Sequence, residues 1–142
     1  MTDLAIDAAE LRTEIQSLFS AGGNCAESIF KPFAAALGHE PELMRLATPF
    51  GAGIGGRRDI CGILAGGTMA IGLARGRTDP KDVEQKSLAY KAAARYYQWF
   101  KQQQKVRCSE IVKGKFTGHT EDCVKLMDGA LTELARIIRG EA

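Results

Sequence analysis

Apolar positions recur every three or four residues along most of the chain, and that period predicts helices rather than strands. Leu4, Ala8, Leu11, Ile15 and Leu18 make the first stripe, which predicts a helix ending near Ala21-Gly22-Gly23. Asn24 is placed to cap a second helix running through Ile29, Phe33 and Leu37 to Gly38, with Cys25 in its first turn and Pro32 as a kinking interior residue. Pro41 opens a short helix through Leu43, Met44 and Leu46. Gly51, Gly53, Gly55 and Gly56 then interrupt the pattern, and helix is expected to resume at about Asp59. From Cys61 to Leu73 almost every side chain is small or apolar, so this segment is read as the central helix, closed by Gly76.

Asp79-Pro80 reads as the start of a long helix carrying Val83, Ala89, Ala93, Tyr96 and Phe100 towards Gln104. A loop-rich segment with Cys108, Gly114 and Gly118 follows, and Val124, Met127, Leu131, Leu134 and Ile138 define a last amphipathic helix. No strand pattern, internal repeat or linker stands out. The expectation is an all-α, compact bundle of five to six helices with a Gly-rich loop before a central helix, residues 1–142 forming one domain.

Composition changes this picture little. The chain has 142 residues, 45% hydrophobic and 25% charged, and a net charge of +2 with bases and acids interspersed, which argues against a nucleic-acid partner. The N-terminus lacks a secretory pattern and no apolar run is long enough to span a bilayer, so membrane insertion is not expected and a cytoplasmic location is.

The four cysteines, Cys25, Cys61, Cys108 and Cys123, are the candidate chemistry. In a reducing cytosol they read as metal ligands or a redox pair sooner than as structural disulfides. No CxxC, zinc-finger or ferredoxin spacing is present, so any four-thiol site must be assembled by folding; it would suit zinc or an iron–sulfur cluster. Cys25 and Cys61 fall where helices begin, which favours the thiolate. Lys105 and Arg107 should lower the Cys108 pKa, whereas Glu121 and Asp122 should raise that of Cys123.

The run from Gly51 to Arg58 resembles a phosphate cradle, but no strand precedes it and no Walker lysine follows, so a close-packed turn that lets Cys61 face a site is the preferred reading. His39 and His119 read as exposed, although His119 could also serve as a ligand. Tyr96, Tyr97, Trp99 and Phe100 read as packing residues. Ser28 and Ser109 lack any hydrolase elbow sequence.

Gly23-Asn24-Cys25-Ala26, the stretch Phe50 to Arg57, Cys61-Gly62-Ile63-Leu64-Ala65-Gly66 and lone cysteines at 108 and 123 together resemble the C_GCAxxG_C_C family of redox-active, four-cysteine proteins. Ile63 stands where that pattern usually has alanine. The resemblance extends to the helical domain of split-Soret-type cytochromes, whose cysteines bind a 2Fe-2S centre; the CxxCH haem signature is missing here. It implies a small redox protein in which Cys25, Cys61, Cys108 and Cys123 bind an iron–sulfur cluster of the 2Fe-2S type, for electron transfer to a redox partner protein or for redox sensing; on physical grounds Arg57 and helix N-termini would stabilise the charge of such a cluster. The alternatives are a thiol–disulfide protein with Cys61 attacking and Cys25 resolving, or a module holding zinc or another soft metal. A homodimer formed through the apolar stripes of the first and last helices is a further expectation.

Overall fold

The computed structural model describes residues 6–103, 105–112 and 120–142. Six α-helices are seen among them: α1 Ala8–Ser20, α2 Cys25–Ala36, α3 Gly62–Arg75, α4 Val83–Gln103, α5 Cys108–Ile111 and α6 Glu121–Ile138. Two 3-10 helices, Pro41–Leu46 and Thr48–Phe50, lie between α2 and α3. The only β-type pairing among the described residues is an isolated antiparallel bridge between Ile60 and Arg107, so the protein is all-α as expected. No helix among them is long and apolar enough to cross a membrane.

Most boundaries follow local chemistry. Asp7 caps α1 by accepting from the Ala9 and Glu10 amides, and the buried face is Leu11, Ile15 and Phe19, with Leu18 only half-buried; Leu4 lies outside the described residues. Asn24 and Glu27 form a reciprocal capping box at the start of α2. Pro32 is accommodated inside that helix, fully buried, without ending it.

Two boundaries differ from the sequence pattern. The residues from Asp79 to Asp82 form a turn, and α4 starts at Val83 because Asp82, three residues before Gln85, accepts the Gln85 amide. Val83 consequently lies in the exposed first turn, and the core face of α4 is centred on Tyr96 and Phe100. Helix does not resume at Asp59: Ile60 is held in the bridge to Arg107, and α3 begins at Gly62 with Cys61 as its cap residue.

α3 is the central element, packed against α2, α4 and α6, and every residue from Cys61 to Gly67 is buried. Glycine sets its distance from its neighbours. A Cβ at Gly66 would lie 2.6 Å from the Ala26 carbonyl oxygen and 2.5 Å from Ile29 Cγ2, and one at Gly67 would meet the Tyr96 hydroxyl at 2.5 Å and its ring at 2.6 Å. Tyr96 is wholly buried and satisfies its hydroxyl by donating to the Ile63 carbonyl at 2.7 Å. α6 adds Met127, Leu131, Leu134 and Ile138 to the core, whereas Val124, at the N-terminal end of the same face, is exposed.

The stripes of α1 and α6 are therefore spent within the chain, where these helices pack on each other and on α2. Of the described positions in these stripes, half-buried Ala8 and Leu18 and exposed Val124 remain at the surface.

The glycines of α3 give a paired prediction. Gly66→Val should destabilise the protein by about 1–3 kcal/mol or more, as overpacking does. Gly72→Ala, where nothing lies within 4 Å of the added methyl, should be neutral or stabilising by up to about 1 kcal/mol. Urea unfolding midpoints would show both; equal effects at the two positions would contradict the close α2–α3 approach.

Candidate functional site

Each of the four cysteines stands at the beginning of a different helix. Cys25 and Cys108 are the first residues of α2 and α5, Cys61 caps α3, and Cys123 lies in the first turn of α6. The sequence showed this placement only for Cys25 and Cys61. It was not legible for the other two because α5 is one turn long and the start of α6 depends on Thr120, whose hydroxyl accepts the Cys123 amide at 3.2 Å. All four are free thiols and only 4–6% exposed.

Backbone contacts bring these helix starts together. The α2 start rests on that of α3: a Cβ on Gly62 would be 3.0 Å from the Ala26 nitrogen and 3.1 Å from Cys25 Cβ. The α3 start is tied to α5 by two hydrogen bonds, from the Cys61 amide to the Val106 carbonyl at 2.7 Å and from the Cys108 amide to the Asp59 carbonyl at 2.6 Å. Arg107 and Asp59 pair across the same bridge at 3.3 Å, although both are exposed, so the pair contributes little. α6 joins through the Cys123 thiol, which is hydrogen-bonded to that of Cys25.

Electrostatics report the same convergence. Ionisation of any of the other three sulfurs would raise the Cys25 thiol, and ionisation of Cys123 or Cys108 would raise that of Cys61. The hydrogen bond to Cys123, followed by burial, pushes the Cys25 thiol far up, so its position at a helix start does not make it acidic. Burial pushes Cys61 up to about 12 against the favourable Ile63 and Leu64 amides, which lie near its sulfur without making a cap hydrogen bond. Cys123 is lowered to about 6, first by the hydrogen bond from Cys25 and then by Thr120. Asp122 opposes that shift, as its sequence position suggests, but is outweighed. Burial thus disfavours the Cys61 thiolate, and the partner Cys25, not the acidic neighbours, dominates the shift of Cys123.

The Gly-rich loop forms the wall ahead of Cys61. From Ala52 to Gly56 every residue has positive φ (50°, 72°, 68°, 55° and 78°), as does Arg58 at 59°. The amides of residues 54 to 59 all donate to carbonyls of residues 49 to 54. They are used in shaping the loop rather than offered to an anion, which removes the support for a phosphate cradle. The left-handed conformation is adverse for Ala52, Ile54 and Arg58, at about 1–2 kcal/mol each. Arg58 anchors the end of the loop by donating to the Val112 carbonyl, and its own carbonyl accepts the Ser109 amide, so the loop also fixes α5. Arg57 is exposed, as is His39; His119 lies outside the described residues.

A family model described as "Putative redox-active protein (C_GCAxxG_C_C)" matches residues 23–137, a span that includes all four cysteines. The chain belongs to this family. No curated protein and no solved structure matches it. Membership in the C_GCAxxG_C_C family directs the chemistry to the thiols; it does not say what they hold. Among the described residues, no group of three or more His, Cys, Asp and Glu side chains stands where it could grip a single metal ion. What the four sulfurs share is their placement, each buried at the start of a different helix.

Two measurements check this geometry. In the reduced, cofactor-free protein, thiolate absorbance should show a first ionisation near pH 6 that Cys123→Ser removes; a first step near the ordinary thiol value of 9.0 would contradict the Cys25–Cys123 hydrogen bond. Stability follows by linkage. The Cys123 contribution is present in full above its unfolded value of 9.0 and is lost as the pH falls through about 6. That of Cys61 is present below 9.0 and is lost as the pH rises through about 12. Asn24→Ala, which removes the capping box one residue before Cys25, should cost about 1 kcal/mol in urea unfolding.

Proposed function

We propose that Cys25, Cys61, Cys108 and Cys123 together hold an iron–sulfur cluster of the 2Fe-2S type, and that the protein carries electrons to a redox partner protein or senses redox state. The supporting observation is the convergence of four buried, unpaired thiols from four separate helix starts. A cluster of this kind supplies one-electron chemistry. In this reading the thiolates of the chain bind it, the helix N-termini offset its negative charge and raise its potential, and the buried α3 wall excludes water. A cytoplasmic location belongs to this reading, since cysteines of a reducing compartment serve as ligands or redox groups more often than as structural disulfides.

A second reading is favoured by the Cys25–Cys123 hydrogen bond. In a thiol–disulfide protein the Cys123 thiolate would attack a disulfide of the partner and release one partner thiolate. Cys25 would then lose its proton and displace Cys123's mixed-disulfide partner sulfur, leaving a Cys25–Cys123 disulfide and a reduced partner. The Cys61–Cys25 pair expected from helix starts is the other dithiol this reading allows, but burial raises the Cys61 thiol and favours Cys123 as the attacking group.

Purification without oxygen separates the readings. The cluster reading predicts iron and acid-labile sulfide in equal amounts, visible bands between about 320 and 600 nm, and loss of both on Cys61→Ser. Colourless, iron-free protein would falsify it. Peptide mapping of such protein after treatment with glutathione disulfide would show a Cys25–Cys123 bridge if the second reading holds.

A further inference from the structure

Four of the seven large apolar side chains exposed among the described residues lie on α4: Val83 (68% exposed), Leu88 (50%), Tyr90 (67%) and Tyr97 (41%). Three of them, with Ser87, Ala94 and Lys101, fall at alternating spacings of four and three residues, and all six positions are exposed. That is the heptad spacing of a helix seam, on the side of α4 turned away from Tyr96 and Phe100. No element among the described residues covers it.

The stripe is complementary to itself. An antiparallel copy of α4 related by a two-fold axis beside residue 92 would set Tyr90 against Ala94, Tyr97 against Ser87, and Val83 against the stem of Lys101. Each large residue would meet a small or flexible one, as knobs meet holes, and each contact would occur twice, as a two-fold interface requires. Shifting the register by one heptad either way leaves one end of the stripe unpaired. The chemistry at the ends agrees: Glu84, at the N-terminal end, would come beside Lys101 of the other copy. Lys101 is already held there, with its Nζ 5.6 Å from the Tyr97 ring centre. Lys91 opposes the contact, because it would approach its own copy near the axis.

We propose that this face of α4 is the interface of an antiparallel homodimer, with a second copy of the chain as its occupant. A face about 31 Å long and one helix wide is at the small end of specific interfaces, so association belongs in the micromolar range. The proposal goes beyond the redox reading and stands independently of it, since it uses no residue of the cysteine site.

Sedimentation equilibrium of the full chain, from low micromolar to hundreds of micromolar, tests it. The wild type should pass from monomer to dimer over that range. Tyr90→Glu should weaken association at least about tenfold, as loss of a central aromatic anchor does, with unchanged helical circular dichroism. Leu46→Glu, at an equally exposed apolar position on the first 3-10 helix, should leave association unchanged. Glu84→Lys and Lys101→Glu should each weaken it, and the double variant should recover. A wild type that stays monomeric throughout would overturn the proposal, as would a Tyr90→Glu protein that associates like the wild type or a double variant no tighter than either single one.

Discussion

The close approach of α2 and α3 is the constraint on which the rest of the molecule depends. Gly62 and Gly66 allow the α3 backbone to touch the α2 backbone at Ala26, a distance no side chain could permit. The contact does two things at once. It forms the most densely buried part of the core, and it sets Cys25 beside the start of α3, next to Cys61. Core packing and site assembly are therefore a single event, and a change that separates these two helices would also separate the thiols.

The other two cysteines reach the site by different means. Cys108 is brought by the backbone bridge to Asp59 and Val106, whose position is fixed in turn by the left-handed loop before it. The loop contains adverse conformations at Ala52, Ile54 and Arg58, with Gly53, Gly55 and Gly56 adopting the same conformation freely. Strain of this kind persists where surrounding structure over-determines it. Here the surroundings are the hydrogen bonds from the loop to itself and from Arg58 to the α5 segment. Cys123 arrives on α6, whose long apolar face seats it on the core and whose Thr120 cap holds its first turn. The outcome is four buried cysteines, each at the start of a different helix.

Much of this was legible in the residues. The helical period located α1, α2, α3 and α6, and the Asn24 cap placed Cys25 correctly. Glycine in the segment from Gly62 to Gly67 indicated a central, closely packed helix. Other features depend on contacts distant in sequence and leave no local signal. The bridge between Ile60 and Arg107 displaced the start of α3 and placed Cys61 at its cap. Acidity was misread for the same reason: Glu121 and Asp122 are neighbours of Cys123 in the chain, but the decisive partner, Cys25, comes from another helix. Asp79-Pro80 carried a helix-start signal that Asp82 took over three residues later. Val83 was counted with the buried stripe of α4, yet it belongs to the exposed one.

The account turns on the four sulfurs serving one centre. Its most direct test is an anomalous difference map, recorded at the iron absorption edge, from crystals grown without oxygen. The account predicts iron density enclosed by Cys25, Cys61, Cys108 and Cys123, with a bond from each sulfur. A map without iron among those residues, or with one of the four cysteines turned away from the metal, would contradict it.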